Sequence, residues 1–388
     1  MASTNIPSFV ELNDLACKKV GGEILFATDD WFAVAENLLQ DNDPVWWEGE
    51  FTLFGKRMDG WETRRKRIPG HDWCIIKLGI PGVIHGFDVN TRFFTGNFTP
   101  RMSIQAACLE SDEDFPQRSS EMGSKASEEE LEEMKKLHTE DWEELVSMQP
   151  LRAGIPETCH NYFRVNSAKR WTHLRLNMFP DGGIARLRVY GEAQPRWEGI
   201  RPNELVDLVA IENGGVCVGY SNAHFCHPRN LITKARSVTM ADGWETARKL
   251  DRPAVLELGE NGVLKYTGCD WCVFRLGTRG IIEKIEVDTN HFKGNFPDSC
   301  TIEGCVLTLE EEQRARAPHP ERPHGDFDAF QWKAILPIAK LSAHKRHFFK
   351  GSAVTVVGPV THIRLTLRPD GGISRLRLWG HKAANANL

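Results

Sequence analysis

The chain has 388 residues, of which 41% are hydrophobic and 26% are charged, a composition typical of a globular protein with room for two domains. Its net charge of −5 is uneven, because residues 111–150 hold thirteen Asp and Glu against four Lys and Arg. This segment therefore has a local charge of −9, and because the whole chain has −5, the remaining residues carry about +4. Such a small excess excludes a nucleic-acid-binding protein as the favoured class.

Nothing in the sequence favours a membrane or secreted protein. No apolar run approaches the roughly 20 residues that span a bilayer, and the first residues lack the basic and apolar regions of a secretory signal. We therefore expect a cytoplasmic protein whose ten cysteines are reduced. The final Ala-Asn-Leu (386–388) is only faintly similar to a Ser-Lys-Leu import signal, so peroxisomal import stays open.

Several segments of the first half return in the second half in the same order. The matching ranges are 60–63 with 243–246, 72–74 with 270–272, 89–98 with 287–296, and 172–183 with 361–372. Repeats of this length predict two tandem domains rather than a solenoid, whose units are about 20–50 residues long. We place the domains at 1–194 and 195–388, with an insertion in the second around 251–267.

Short alternating runs between turn residues predict strands in each copy. In residues 172–178, Leu174 and Leu176 fall on one face and polar side chains on the other. Pro-Asp-Gly-Gly at 180–183 is typical of a hairpin turn, and the alternation resumes over 185–189. The pattern predicts a mainly β chain, with two tandem jelly-roll β-sandwich domains and short helical insertions.

The acidic insertion at about 111–150 differs from the rest. Residues 128–146 are rich in Glu, Leu, Met and Lys at helical spacings, which predicts a helix with a solvated acidic face. The matching connection at 310–325 contains Pro318, Pro320 and Pro323, which predicts a loop.

Common catalytic signatures are missing from the sequence. It contains no Gly-x-Ser-x-Gly, no Walker-type or dinucleotide-type glycine loop, and no His-Glu-x-x-His. The densest group of candidate metal ligands is His224-Phe225-Cys226-His227. No second pair of ligands follows it at a spacing typical of a metal site. We interpret it as a surface loop and assign no metal ligand.

The run that follows Trp61 and Glu62 contains Arg64, Arg65 and Arg67. A guanidinium group is a planar fork that holds a carboxylate at two points, so the run predicts a site for a small anion. The neighbouring Trp and Glu suggest a partly enclosed pocket, where such a pair is stronger.

A second group of cations lies on the polar face of the predicted hairpin. Arg175 and His173 fall there together with Arg186 and Arg188. For Arg186 and Arg188, a solvated sheet face is an equally good interpretation.

The second copy lacks part of this charged set. Ala247 and Leu250 replace Arg64 and Arg67, and Asn222-Ala223 replace Asp29-Asp30. One site shared by both copies, or two sites of which one has decayed, would each leave this pattern.

Several of these segments together resemble the allantoicase (allantoate amidinohydrolase) family. They are Thr28-Asp29-Asp30-Trp31-Phe32, the run Asp59-Gly60-Trp61-Glu62-Thr63-Arg64-Arg65-Lys66-Arg67, Gly70-His71-Asp72-Trp73, and the two Pro-Asp-Gly-Gly turns. The resemblance covers nearly the whole chain. It implies two jelly-roll repeats, a homo-oligomer, and the reaction of allantoate with water to give ureidoglycolate and urea in purine degradation.

The resemblance and the chemistry of allantoate together suggest roles for individual residues. For substrate binding we predict Arg64, Arg65, Arg67, Asn97, Arg175 and His173, with Arg64 and Arg65 as the carboxylate clamp. As acid, base or ureido acceptors we predict Asp29, Asp30 and Glu62, with His71 as an alternative proton carrier. No cofactor is certain, although the resemblance leaves room for a divalent metal such as Mn²⁺.

Two other classes of protein fit the same sequence. A jelly roll can bind a sugar or another small ligand without converting it, and Trp46, Trp47 and Trp61 could form a stacking platform. A catalytically weak or inactive relative of the family is the other alternative.

Overall fold

Antiparallel strands build both halves of the chain, which form two units divided between Gln194 and Pro195. This division falls at the boundary expected from the internal repeats. The computed structural model describes residues 6–201, 203–259, 261–265, 268–317 and 319–383. The final Ala-Asn-Leu therefore lies outside the described residues.

The first unit contains ten strands and one α-helix among its described residues. The strands are β1 (Asn13–Asp14), β2 (Glu23–Ala27), β3 (Trp61–Glu62), β4 (Asp72–Asn90), β5 (Arg101–Ala107), β6 (Glu143–Pro150), β7 (His160–Arg164), β8 (Arg170–Phe179), β9 (Gly183–Ile184) and β10 (Arg186–Ala193). Helix α1 spans Glu128–Lys136, and short 3-10 helices span Ser8–Glu11, Lys18–Val20, Ala35–Leu39 and Thr139–Asp141.

The long strand β4 belongs to both layers of a sandwich. Its first part pairs with β2 and β8, giving the sheet β2-β4-β8-β5-β6, and its last part pairs with β10 and β7, giving β1-β10-β4-β7. Successive side chains of a strand point to opposite faces, so Cys74 and Ile76 enter the core while Trp73 and Ile75 face outward. Leu176 from one layer and Phe87 from the other are fully buried in the same core.

The second unit repeats this architecture. Its strands are β11 (Val206–Asp207), β12 (Val216–Tyr220), β13 (Trp244–Glu245), β14 (Asp270–Asp288), β15 (Ser299–Cys305), β16 (Lys333–Lys340), β17 (Arg346–Lys350), β18 (Val360–Arg368), β19 (Gly372–Ile373) and β20 (Arg375–Lys382). Helix α2 spans Leu309–Ala315, and 3-10 helices span Ile211–Asn213, Pro228–Ile232, Met240–Asp242 and Gly351–Ala353. The prediction of a mainly β chain with two tandem sandwich domains is confirmed.

The helix prediction for the acidic insertion was wrong in its second half. Helix α1 begins at a capping box between Ser127 and Glu130 and ends at Lys136. His138 then takes a left-handed conformation, with φ of 48°, and residues 143–150 form strand β6 against β5. The pairing partner β5 decides the conformation there, because a tertiary contact overrides helical spacing in sequence.

The loop prediction for 310–325 was also wrong in part, because helix α2 covers its first residues. The Thr308-x-x-Glu311 capping box starts this helix, and Pro320 and Pro323 lie beyond its end, whereas Pro318 lies outside the described residues.

The predicted hairpin at Pro-Asp-Gly-Gly was wrong as well. Strands β8 and β10 both pair with β4, which lies between them, so the turn crosses over a strand. Gly182, with φ of 129°, brings the turn so close to Thr99 that a Cβ atom would lie 2.8 Å from the Thr99 nitrogen. The polar face of β8 is buried rather than solvated, since His173 and Arg175 are 3% and 6% exposed.

None of the ten cysteines, all of which lie in the described part of the chain, forms a disulfide, and seven of them are buried. None of the described helices combines the length and the apolar character needed to cross a bilayer.

Candidate active site

The segment of residues 60–67, which we term the site loop, is anchored by a buried tryptophan. Trp61 is fully buried, and its Nε1 donates a hydrogen bond of 2.8 Å to the carbonyl of Asp29. Strand β3 also pairs with β9, which fixes the backbone of Glu62 opposite Gly183. The Gly-Trp-Glu-Thr motif is thus a scaffold that holds the loop at the end of the sandwich.

The carboxylate of Glu62 forms a close pair with an amide. Asn97 Nδ2 donates to Glu62 Oε1 at 2.6 Å, and the Asn97 carbonyl accepts from the Gly183 N–H at 2.8 Å. Desolvation by burial raises the pKa of Glu62 above its ordinary value, although the hydrogen bond from Asn97 opposes this. The second unit has the same pair, with Asn295 Nδ2 2.6 Å from Glu245 Oε1.

The three arginines of the site loop have different environments. Asp29 accepts from Arg64 Nε at 2.9 Å and lies 2.8 Å from its Nη2, and the guanidinium lies 4.2 Å from the Trp31 ring centroid. Arg65 and Arg67 are exposed, and neither has an ion-pair partner among the described residues. Arg64 is therefore engaged in an internal ion pair, which leaves Arg65 and Arg67 available to an anion.

Asp72, which is not among the predicted site residues, holds the site loop in place through Lys66. Asp72 is fully buried, and its Oδ1 accepts from Lys66 Nζ at 2.6 Å and from the Thr28 hydroxyl at 2.7 Å. The Lys66 N–H donates to Asp181 Oδ2 at 2.7 Å, which ties the loop to the Pro-Asp-Gly-Gly turn. The second unit repeats these contacts from Lys249 to Asp270, at 2.9 Å, and to Asp370, at 2.8 Å. The recurrence of Asp-Trp-Cys in both copies was the signal that could have identified Asp72.

Asp30, predicted beside Asp29 as an acid or base, faces the acidic insertion instead. Its Oδ2 lies 2.7 Å from Arg118 Nη2, and its Oδ1 accepts from the Ala35 N–H at 2.8 Å. Arg118 also donates to both oxygens of Glu36, at 2.7 and 3.0 Å. Burial raises the pKa of Asp30, and the pairing with Arg118 counteracts that effect only in part. This carboxylate is occupied in holding the insertion.

His71 and Arg175 lie together on the outer face of the sheet. His71 Nε2 is 3.1 Å from Asn177 Oδ1, and Arg175 Nε donates to the same oxygen at 2.9 Å. The Arg175 guanidinium lies 4.0 Å from the Trp73 ring centroid, and burial lowers its pKa to about 10. No hydrogen bond or ion pair in the described part of the chain links this group to Glu62. The predicted residues therefore fall into two groups, one around Glu62 and the other around His71 and Arg175.

The two arginines left open by the sequence are structural. Arg186 is 1% exposed and donates to Asp59 Oδ2 at 2.8 Å and to the Asn42 carbonyl at 2.9 Å. Arg188 donates to the carbonyl of Asp41 at 3.1 Å. Both hold the loop before the site loop, so neither a solvated face nor a substrate contact describes them.

His173 should make the stability of the first unit depend on pH. Burial lowers its pKa from 6.5 to about 4, so between these values the unfolded chain binds a proton that the folded chain rejects. The free energy of unfolding should therefore fall as the pH drops from 6.5 to 4. His173→Leu should lose less stability over this window in thermal unfolding, whereas the exposed-site control His224→Leu should behave like the native chain. Equal pH dependence in His173→Leu would contradict this assignment.

Two of the cavities formed by the described residues are large enough for a small molecule and lie near these groups. In the first unit, a cavity of about 590 Å³ borders the insertion and is lined by Glu36, Asp112, Phe115 and Arg118 among others, and not by Glu62, Asn97 or Arg65. In the second unit, a cavity of about 470 Å³ is lined by Glu245, Arg248 and Asn295, the counterparts of Glu62, Arg65 and Asn97. Clefts of this size are typical for small-molecule ligands.

The donor set for a metal ion is poor in this structure. Across the described ranges, no three His, Cys, Asp or Glu side chains come close enough to hold a cation. The residues described therefore do not fit the Mn²⁺ that the resemblance leaves open.

Comparison with known proteins identifies the family of the chain. The allantoicase repeat model matches residues 13–194 and again 206–383. The chain is 41% identical to the allantoicase of Dictyostelium discoideum over 375 residues, which covers 96% of this chain and 88% of that protein. It is 39% identical to a probable allantoicase of Pseudomonas aeruginosa (strain UCBPP-PA14) over 368 residues, which covers 95% of each chain.

Solved structures agree with this result. The crystal structure of allantoicase from Saccharomyces cerevisiae matches with a TM-score of 0.68 at 32% identity, covering 95% of this chain and 93% of that one. A second allantoicase structure matches with a TM-score of 0.70 at 32% identity, covering 96% and 94%. Both tandem repeats and nearly the full length are included in these matches, so the chain belongs to the allantoicase family.

Proposed function

We propose that this protein hydrolyses allantoate to ureidoglycolate and urea, a step of purine degradation, at a site formed by Glu62, Asn97 and Arg65. One observation carries the placement of the site. The site loop of this allantoicase-family chain carries Glu62, which Asn97 holds, and Arg65, which has no acidic partner among the described residues. The protein is accordingly a hydrolase that acts on a carbon–nitrogen bond.

The chemistry of allantoate matches these three side chains. The substrate is one carbon that bears a carboxylate and two ureido groups. Arg65 offers its guanidinium fork to the carboxylate, because no acidic side chain in the described residues already occupies it. The Asn97 amide and the Glu62 carboxylate provide a donor and an acceptor for the ureido groups.

The reaction breaks the bond between the central carbon and one ureido nitrogen and forms a bond from that carbon to a water oxygen. Glu62 takes a proton from the water and passes it to the departing nitrogen, which leaves as urea, so the glutamate ends ionised as it began. Burial raises the pKa of Glu62, which makes its carboxylate a stronger base than an ordinary glutamate. Asn97 keeps this carboxylate in one orientation through the 2.6 Å hydrogen bond.

Two ion pairs support this site indirectly. Asp29 and Arg64 form an ion pair that stiffens the site loop, and Asp72 holds Lys66 beneath it. These are positioning residues in the proposal.

A carbohydrate-binding function is less well supported by the aromatic residues. Trp61 is fully buried, and Lys56 and Arg57 lie over the rings of Trp46 and Trp47, at 4.0 and 3.8 Å from the ring centroids. These residues therefore do not form an open stacking platform.

Purified protein should release one urea for each allantoate consumed, and this should continue after treatment with a metal chelator. Urea and ureidoglycolate are measured over time in chelator-treated protein, with and without added Mn²⁺. Activity that appears only with Mn²⁺ would show that a metal site is missing from the proposal. No urea under any condition would favour the binding protein or the inactive relative.

The cytoplasmic location and the homo-oligomer stay predictions in this proposal. Ten cysteines without a disulfide in the described residues suit a reducing compartment.

A further inference from the structure

We infer that the second repeat carries its own hydrolytic site for the same substrate class, a small carboxylate with ureido groups, in the cavity of about 470 Å³ lined by Glu245, Arg248 and Asn295. This inference rests on the proposed function of the first repeat. The missing arginines of the second copy suggested from the sequence that a site there could have decayed. The contacts in the structure argue against that interpretation.

Two of the residues lost from the second copy, Asp29 and Arg64, form a pair with each other in the first copy. Arg67, which Leu250 replaces, is exposed and has no ion-pair partner among the described residues of the first copy. In the first repeat, Arg64 is bound by Asp29, and the second repeat replaces both, with Ala247 and Asn222. Asn222 keeps the structural contacts of Asp29, because its Oδ1 accepts from the Ala247 N–H at 2.9 Å and its carbonyl accepts from Trp244 Nε1 at 2.8 Å. The exchange therefore removes an internal ion pair and preserves the scaffold of the loop.

The charges that line the cavity leave two groups unpaired. Arg252 is paired with Asp370 at 2.5 Å, and Lys340 is paired with Asp298. By contrast, Arg248 has no ion-pair partner in the described residues. The Glu245 carboxylate likewise has no cation partner in the described residues, and it accepts a 2.6 Å hydrogen bond from Asn295. The cavity thus presents one free guanidinium and one free carboxylate.

The insertion of the second repeat builds one wall of this cavity. Leu264 and Arg252, both from the insertion, line it. The Leu264 N–H donates to Asp298 Oδ2 at 3.1 Å, and Lys340 Nζ donates to the Gly262 carbonyl at 2.7 Å. These bonds attach the insertion to the rim, so the cavity has a wall that the first repeat does not possess.

A small carboxylate with ureido groups satisfies both unpaired groups at once. Its carboxylate would pair with Arg248, and a ureido N–H would donate to Glu245. The same balanced step then applies: water loses a proton to Glu245 and its oxygen bonds to the central carbon. The bond from that carbon to one ureido nitrogen breaks, and Glu245 returns the proton to this nitrogen as urea leaves. The shared geometry of the Glu–Asn pair, 2.6 Å in each repeat, supports two equivalent centres.

Three variants, Arg65→Ala, Arg248→Ala and the double variant, test the inference by binding. The probe is N-carbamoylglycine, which has the carboxylate and one ureido group but no second ureido group to lose. Titration calorimetry should find two sites per chain in the native protein, one in each single variant and none in the double variant. Arg248 is exposed, so its truncation should not disturb folding, and the exposed-site control Arg314→Ala should bind like the native protein.

Steady-state kinetics with allantoate provides the second measurement. Each single variant should retain part of the native kcat, whereas the double variant should lose at least about 30-fold in kcat/KM, as expected for a lost charged hydrogen-bonded pair. If Arg248→Ala matches the native protein in both stoichiometry and kcat, the inference is overturned while the first site stands. If the native protein releases no urea at all, the proposed function itself fails.

Discussion

Replacing both Glu62 and Glu245 with glutamine should lower kcat for allantoate hydrolysis by about 10²- to 10⁴-fold, the usual contribution of a positioned general base. Glutamine has the same shape and can still accept the hydrogen bond from Asn97 or Asn295 through its carbonyl oxygen. It cannot take a proton from water, so KM should change much less than kcat. Both residues must be changed, because a single variant would leave one centre working.

The pH dependence of the native protein provides an independent check on this role. The base must be ionised to act, so kcat/KM should fall as the pH drops through the pKa of the glutamate. Burial raises the pKa of Glu62, so the acid limb should lie above the value of about 4.3 for an ordinary glutamate. The exposed-site control Glu129→Gln should keep native activity, and a double variant with native kcat would exclude Glu62 and Glu245 as bases.

The repeats and the scaffold of the site could be predicted from the sequence because identical segments in one chain imply identical local structure. Gly-Trp-Glu-Thr occurs in both copies, and both tryptophans are buried with the same hydrogen bond to a neighbouring backbone carbonyl. The position of Glu62 and Arg65 within one loop follows directly from their spacing. These inferences need no knowledge of distant contacts.

Pairing between distant side chains could not be predicted in the same way. Arg64 and Arg65 are adjacent in sequence, yet Asp29 binds only the first, and this depends on how the 28–33 segment packs beside the site loop. Likewise, the polar face of β8 alternates like a solvated strand but lies beneath the insertion. The Pro-Asp-Gly-Gly segment has the residue types of a hairpin turn. Residue types alone do not show that β4 lies between β8 and β10, the two strands that this turn connects.

The insertion of the first unit is held by a charged cluster for which the second unit has no full counterpart. Asp30 and Glu36 share Arg118, whose side chain is only 12% exposed. At the positions equivalent to Asp30 and Glu36, the second copy has Ala223 and Arg229, so this cluster is specific to the first. It joins the acidic insertion to the segment that precedes the site loop.

Arg118→Met should destabilise the first unit by about 3–5 kcal/mol, because it leaves the buried carboxylate of Asp30 and that of Glu36 without their cation. Methionine preserves most of the side-chain volume, so lost packing contributes little. The triple variant Arg118→Met, Asp30→Ala, Glu36→Met removes the unpaired charges too and should be less destabilised than Arg118→Met alone.

The loss of stability in Arg118→Met should also shrink at lower pH, since protonation neutralises the two carboxylates that have lost their cation. Denaturant unfolding gives the size of the loss, and hydrogen exchange should show faster opening of residues 112–137. Equal stability of Arg118→Met and the native chain would mean that apolar contacts, rather than this ion cluster, hold the insertion in place.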